Sequence, residues 1–153
     1  MIAILLVGAP GSGKSTWGEK FAKDNGYTYL SSDRNRARVG RGEDDQQASA
    51  LAFALLKTEM TMALNRGENV VVDATFMSRK SREDFVKIAR DRGAFLKAVV
   101  FDIPRETILK QNAKRAASGG RNVPISVIDK MLSNYQKPEP PEFDEVIIRN
   151  SLQ

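Results

Sequence analysis

The chain opens on an unbroken apolar run, Ile2-Ala3-Ile4-Leu5-Leu6-Val7, that stops at Gly8. A short run without alternation is the mark of a strand covered on both faces, as in the middle of a parallel sheet. A helix is predicted from Lys14 to about Asp24, stopped by Asn25-Gly26. Tyr27 to Ser31 has the β-branched and aromatic content of a second strand. From Gln46 to Asn65 alanines, leucines and methionines recur at helical spacing, and Arg66-Gly67 closes the segment. Asn69 to Asp73 reads as a third strand, its valines running straight into an aspartate. Ser78 opens a helix with Phe85, Ile88 and Ala89 on its apolar face, ending near Gly93. Phe95 to Asp102 is a fourth strand, and Pro104 suits the first turn of a helix carrying Ile108 and Leu109. The chain loosens at Ser118-Gly119-Gly120, regains a helix from Pro124 to about Tyr135, and crosses a proline-rich stretch to a last strand at Glu145 to Ile148. Strands alternating with helices predict an α/β fold, a parallel sheet flanked by helices on both faces. With 153 residues and no internal repeat, one domain is expected.

Composition narrows the chemistry more than the class. The chain is 41% apolar and 28% charged, as in ordinary globular proteins rather than disordered ones. It has no cysteine and no histidine, which removes disulfides, thiolate nucleophiles, serine–histidine mechanisms and the usual zinc ligands. Carboxylates, lysine, arginine and hydroxyls remain. The opening apolar run has no basic segment before it and is far short of the roughly 20 residues that span a bilayer. The expectation is therefore no membrane partner and a cytoplasmic setting, or a host cytoplasm for a phage-encoded chain. The net charge of +5 favours an anionic partner. It is concentrated in Arg34, Arg36, Arg38 and Arg41, in Arg79, Lys80 and Arg82, and in Lys110, Lys114, Arg115 and Arg121. Taken singly, each cluster reads as solvated surface.

The stretch Gly8-Ala9-Pro10-Gly11-Ser12-Gly13-Lys14-Ser15 matches G-x-x-x-x-G-K-[ST], and it sits between an apolar strand and a helix, where that phosphate-binding loop belongs. Its glycines let backbone N–H groups curl around a β-phosphate, while the helix directs its positive end at the same anion. Lys14 is expected to reach the β- and γ-phosphates, with Ser15 placing its hydroxyl on magnesium. Thr16 completes the set that holds the triphosphate. The loop alone does not choose among GTPases, motor ATPases and small-molecule kinases, which all use it.

The acceptor has to be read from residues at the carboxyl ends of the strands. Asp33 follows the second strand, Asp73 ends the third and Asp102 the fourth. Asp33 is best placed to take the proton of an attacking hydroxyl, and equally has the position of a helix N-cap. Asp73 after Val70-Val71-Val72 has the shape of a Walker B strand, but Ala74 and Thr75 follow where a water-activating ATPase would carry glutamate. That leans toward a kinase, with Asp73 either near magnesium or orienting its neighbours. Asp102, close to Pro104, is expected to cap the next helix. Arg115 lies at the basic end of a helix beside Gly119-Gly120, the anatomy of a lid that closes over a transferring phosphate. Phe76 and Met77 read either as stacking platforms for a base or as packing residues.

These residues together resemble the kinase module of the polynucleotide 5′-hydroxyl kinases of bacteriophage and animal DNA repair, over about Ile2 to Ile148. The anchors are Gly8 through Trp17, Asp33 with Arg36, Asp73-Ala74-Thr75, Val100 through Pro104 leading to Asn112-Ala113-Lys114-Arg115, and Val123-Pro124-Ile125 through Pro138 to Phe143-Asp144. The resemblance implies an adenylate-kinase-like topology and transfer of the γ-phosphate of ATP, with magnesium, to the 5′-hydroxyl of DNA or RNA. It implies Asp33 as general base, Arg36 on an acceptor phosphate with Asp73 and Arg121 also on the acceptor side, and Arg115 on nucleotide phosphates. The strand end would lie in a groove lined by the basic clusters. Gln111 stands where phage relatives are basic, and no aspartate-x-aspartate-glycine-threonine phosphatase motif is present, so kinase action without that partner is expected. A kinase of a small-molecule hydroxyl, on a sugar, nucleoside or antibiotic, and a nucleotide-dependent switch are the rival readings.

Overall fold

The computed structural model describes residues 1–39, 46–120 and 122–151. Five parallel strands form one sheet in the order β2-β3-β1-β4-β5. They are β1 (Ile2–Val7), β2 (Thr28–Ser31), β3 (Val70–Asp73), β4 (Phe95–Phe101) and β5 (Glu145–Arg149). The helices are α1 (Lys14–Asn25), α2 (Ser32–Arg38), α3 (Gln46–Asn65), α4 (Arg79–Asp91), α5 (Arg105–Ala117) and α6 (Ile125–Ser133).

Alternation along the strands divides the core. Ala3, Leu5 and Val7 of β1 share one cluster with Val70, Val72, Leu96 and Ala98, covered by Leu56 and Met60 of α3 and Phe85 and Ala89 of α4. Ile4 and Leu6 face the other way, with Val71 and Val99, onto Ala22 of α1, Ile108 of α5 and Ile128 of α6. Because both faces are covered, the strand residues are apolar without a break, which is the pattern seen at Ile2 to Val7. Each buried valine, leucine or isoleucine among them contributes about 1.5–3 kcal/mol by leaving water.

Register brings the site together. Leu6 pairs with Asp73 and Ser31 pairs with the same Asp73, so β1, β3 and β2 end side by side. The loop after β1 therefore emerges between the ends of β3 and β4, at the point where the strand order reverses and ligands bind in open α/β sheets.

The expected elements are present, with ends shifted by a residue or two, and α2 is an addition. Six of its seven residues are polar and Ala37 alone makes no apolar period, so periodicity passes over them. Ser31 starts this helix, its hydroxyl accepting from the Arg34 N–H at 3.3 Å. The N-cap alternative for Asp33 is thereby corrected, since the cap is Ser31 and Asp33 lies in the first turn. Polar contacts to α3 hold α2 down: the Asn35 amide donates to Glu59 at 2.6 Å and Arg38 donates to the same carboxylate at 3.1 Å. Asp102 is also corrected. Pro104 is the N-cap of α5 and makes no side-chain cap bond, while Asp102 is exposed and its N–H donates to the Arg149 carbonyl at 2.9 Å. Ser78 caps α4 as expected, accepting from the Ser81 N–H at 3.1 Å. Among the described residues no helix is long and apolar enough to cross a membrane.

Candidate active site

The loop after β1 turns on two left-handed glycines, Gly11 at φ 88° and Gly13 at φ 85°. Gly11 also passes so close to α5 that a Cβ there would lie 2.6 Å from the Ile108 carbonyl oxygen. Any side chain at Gly11 would push the loop and α5 apart. Gly13 is the N-cap of α1 and offers no side-chain acceptor, and no acidic residue stands in the first turn. The N–H groups and positive end of α1 are thus left for an external anion.

Beside this helix start, Asp73 gathers three donors although it is only 1% exposed. Lys14 Nζ lies 3.3 Å from Asp73 Oδ1. Ser15 Oγ donates to Asp73 Oδ2 at 2.7 Å, and the Tyr29 hydroxyl donates to that same oxygen. Burial and the neighbouring carboxylate hold the Tyr29 phenol well above its usual pKa, so it stays a donor. A buried carboxylate with this many donors is held in one orientation.

On one side of Lys14 a cleft of about 200 Å³ is lined by Gly11, Gly13, Lys14, Ser15 and Thr16, with Gln111 and Arg115 reaching over from α5. The Arg115 carbonyl accepts from the Gly120 N–H at 2.8 Å, so the end of α5 and the glycine turn form one unit above the loop. Donors dominate this lining, as a triphosphate requires. The Ser15 hydroxyl and Asp73 carboxylate, 2.7 Å apart at its edge, are hard oxygen ligands of the kind magnesium takes. Among the described residues no group of three or more acidic side chains gathers elsewhere to hold a metal. Magnesium bound through one or two protein oxygens plus phosphates and water fits this donor set.

On the other side of Lys14 lies a narrower cleft of about 100 Å³, lined by Pro10, Lys14, Ser32, Asp33, Arg36, Ser49, Phe53, Ala74, Thr75, Phe76, Ser81 and Met131. Asp33 and Arg36 form an ion pair within it, and Arg36 Nε donates to Ser49 Oγ at 3.0 Å. Thr75, Ser81 and Met131 also line an adjoining open groove of about 540 Å³, completed by Met77, Ser78, Ser133, Asn134, Tyr135 and Gln136. Arg82 ties the two walls of that groove. It is fully buried and donates to the Phe76 carbonyl at 2.7 Å, the Gln136 carbonyl at 2.9 Å and Glu142 at 2.9 Å.

Of the site residues expected from the sequence, the structure brings Gly11, Gly13, Lys14, Ser15, Thr16 and Arg115 to one cleft, and Asp33 and Arg36 to the other. Gly8, Ala9 and Ser12 are buried in the turn of the loop. Asp73, expected near magnesium, orienting its neighbours or on the acceptor side, contacts Lys14, Ser15 and Tyr29. Arg121 and Arg41 lie outside the described residues. Phe76 is a packing residue, 1% exposed against Phe53 and Phe85. One expectation about charge is corrected, since Arg82 is buried and not solvated. The open groove carries no lysine or arginine among its described lining residues. Sequence reasoning also missed Tyr29, Ser49 and Phe53. Tyr29 had no local signal, because its role depends on which strand lies beside β2.

Residues 4–138 match the family described as AAA domain. The chain is 30% identical over 152 residues to adenylate kinase isoenzyme 1 of Cyprinus carpio, covering 90% of this chain and 77% of that protein. It is 27% identical over 135 residues to a putative bifunctional polynucleotide phosphatase/kinase of Acanthamoeba polyphaga mimivirus, covering 88% of this chain but 28% of the relative. A chain in the solved Pnkp1/Rnl/Hen1 RNA repair complex superposes with TM-score 0.76 at 29% identity, over 86% of this chain and 43% of that one. The chain thus spans less than half the length of either polynucleotide-related protein. The loop, the parallel sheet that presents it and the match over most of the length agree: the chain belongs to the AAA-domain family and is a P-loop kinase.

Proposed function

We propose that this kinase transfers the γ-phosphate of ATP to the 5′-hydroxyl of DNA or RNA. The observation that carries the reading is that Lys14 lines both clefts at once, with the triphosphate loop and Arg115 on one side and Asp33 and Arg36 on the other. Donor and acceptor then meet end to end across one ammonium group, the arrangement in-line displacement needs. Magnesium held at Ser15 beside Asp73 would offset charge on the β- and γ-phosphates.

Asp33 accepts the proton of the acceptor hydroxyl as its oxygen bonds to the γ-phosphorus, and the bond from that phosphorus to the bridging oxygen breaks to release ADP. Lys14 and Arg115 stabilise the charge that spreads over the transferring group. Arg36, beside Asp33, offers its planar fork to a phosphate one nucleotide along the acceptor, an anion whose oxygens can take two parallel N–H bonds from one guanidinium. The likeness to a polynucleotide phosphatase/kinase and to a chain of an RNA repair complex supports a nucleic-acid acceptor.

One observation favours a second reading. The open groove beside the cleft is lined by hydroxyls, amides, methionines and Tyr135, without a cation among its described residues, and such a lining suits a neutral polyhydroxyl acceptor. The two readings separate when γ-labelled ATP is offered to a 5′-hydroxyl oligonucleotide and, in parallel, to sugars, nucleosides and aminoglycosides. Label on the oligonucleotide end supports the first reading. Label only on a metabolite overturns it.

A further inference from the structure

We propose that Tyr29 is a positioning residue for the metal-bearing side of the donor site, acting through Asp73. It rests only on the donor half of the function proposed above. For Ser15 to present oxygen lone pairs to a metal ion, its proton must point away, and the acceptor for that proton is Asp73 Oδ2 at 2.7 Å. Asp73 can serve only if its carboxylate keeps Oδ2 toward Ser15 and Oδ1 toward Lys14. The Tyr29 hydroxyl donates to Oδ2 and fixes that rotation.

The reach follows from register. Tyr29 pairs with Val71, and Asp73 lies two residues further along β3, on the same side of the strand. Tyrosine, long and with a donor at its tip, spans the two-residue offset from the position beside Val71 to the Asp73 carboxylate. The ring itself is clamped. The Arg34 guanidinium carbon sits 4.7 Å from its centroid, and Arg34 in turn pairs with Glu19 of α1 at 3.0 Å. Arg34 belongs to α2, so the ring that steadies the metal side also packs against the helix carrying Asp33 and Arg36. Phenylalanine would keep the ring, the arginine and the packing, and lose the hydroxyl's bond to Asp73 together with its contact to the Ser15 hydroxyl.

The test measures binding, with no acceptor present. Manganese serves as the probe, read by electron paramagnetic resonance, on the protein saturated with the β,γ-imido analogue of ATP. Tyr29→Phe is expected to weaken manganese binding by about 10-fold, the low end of the effect of losing an outer partner of a metal ligand, because Lys14 and Ser15 still hold Asp73. Binding of the analogue without metal, in EDTA, is expected to stay within about twofold, since the loop backbone and Lys14 are unchanged. In an Asp73→Asn background the Tyr29→Phe change is expected to add nothing. Manganese affinity of Tyr29→Phe within twofold of the unmodified protein would overturn the proposal. So would an equal loss in metal-free nucleotide binding, or a further independent loss on top of Asp73→Asn. Since no acceptor is used, failure here leaves the polynucleotide reading standing, and failure of that reading leaves this one standing.

Discussion

Replacing Asp33 by asparagine exchanges one carboxylate oxygen for an amide nitrogen and leaves the helix start intact, because Ser31 supplies the cap. The stability cost can be bounded. Asp33 and Arg36 form an ion pair with side chains 29% and 17% exposed, so solvent screens the pair and its loss costs about 1 kcal/mol. Losing a negative charge in the first turn of α2 costs about 0.3–1 kcal/mol more. The sum, roughly 1–2 kcal/mol, lowers the melting temperature of a domain this size by about 3–6 °C. Catalysis loses more. An amide cannot take the hydroxyl proton, and removing a general base lowers the rate by about 10²–10⁴-fold, equivalent to about 3–5 kcal/mol of barrier. Nucleotide affinity stays near that of the unmodified protein, since the donor cleft does not contain Asp33. The measurement is single-turnover transfer to a 5′-hydroxyl oligonucleotide, run beside thermal unfolding and nucleotide binding on the same variant. A folded, nucleotide-binding Asp33→Asn protein that transfers within threefold of the unmodified rate would remove Asp33 from the chemistry.

Lys14→Ala is expected to abolish transfer and also to lower the melting temperature, because it strips the ammonium from a buried carboxylate; adding Asp73→Asn recovers part of the melting temperature and none of the transfer, and recovery of transfer would contradict this. Arg115→Ala, at an exposed position, is expected to leave stability within about 0.5 kcal/mol while lowering turnover at least ~10²-fold, and an unchanged rate would return Arg115 to the surface. Arg36→Ala is expected to raise the acceptor KM more for a 3′-phosphorylated nucleoside than for one with a free 3′-hydroxyl; equal effects would end its role on an acceptor phosphate. Arg82→Met leaves the Glu142 carboxylate, 8% exposed, without its partner, and is expected to cost about 3–5 kcal/mol in denaturant unfolding, a cost that Glu142→Gln added to it would partly relieve.

The phosphate loop was legible because its function is local. Eight consecutive residues carry the backbone turn, the lysine and the hydroxyl, and apolar Ile2 to Val7 announces the strand that presents them. The sheet was legible for a related reason, since burial on both faces writes continuous apolar runs. What stayed hidden depends on neighbours distant in sequence. Tyr29 reaches Asp73 across 44 positions, and Arg82 reaches Glu142 across 60. A basic residue flanked by Arg79, Lys80 and Ser81 looks solvated until the groove walls close around it. The short helix α2 escaped because it is held by a serine cap and by polar contacts to Glu59, and neither leaves an apolar period. The neutral groove was invisible for the opposite reason. The basic clusters are conspicuous in sequence, yet Arg34 and Arg38 are turned to Glu19 and Glu59.

The most direct test of the proposed reaction is a crystal structure of the protein with a 5′-hydroxyl oligonucleotide, magnesium and the β,γ-imido analogue of ATP. The expected result places the 5′-oxygen in the cleft between loop and α2, within hydrogen-bond distance of the Asp33 carboxylate and about 3–3.5 Å from the γ-phosphorus, with Lys14 between the two ligands. An oligonucleotide whose 5′ end lies outside that cleft, or a cleft that closes on the nucleotide with no room for the acceptor, would contradict it.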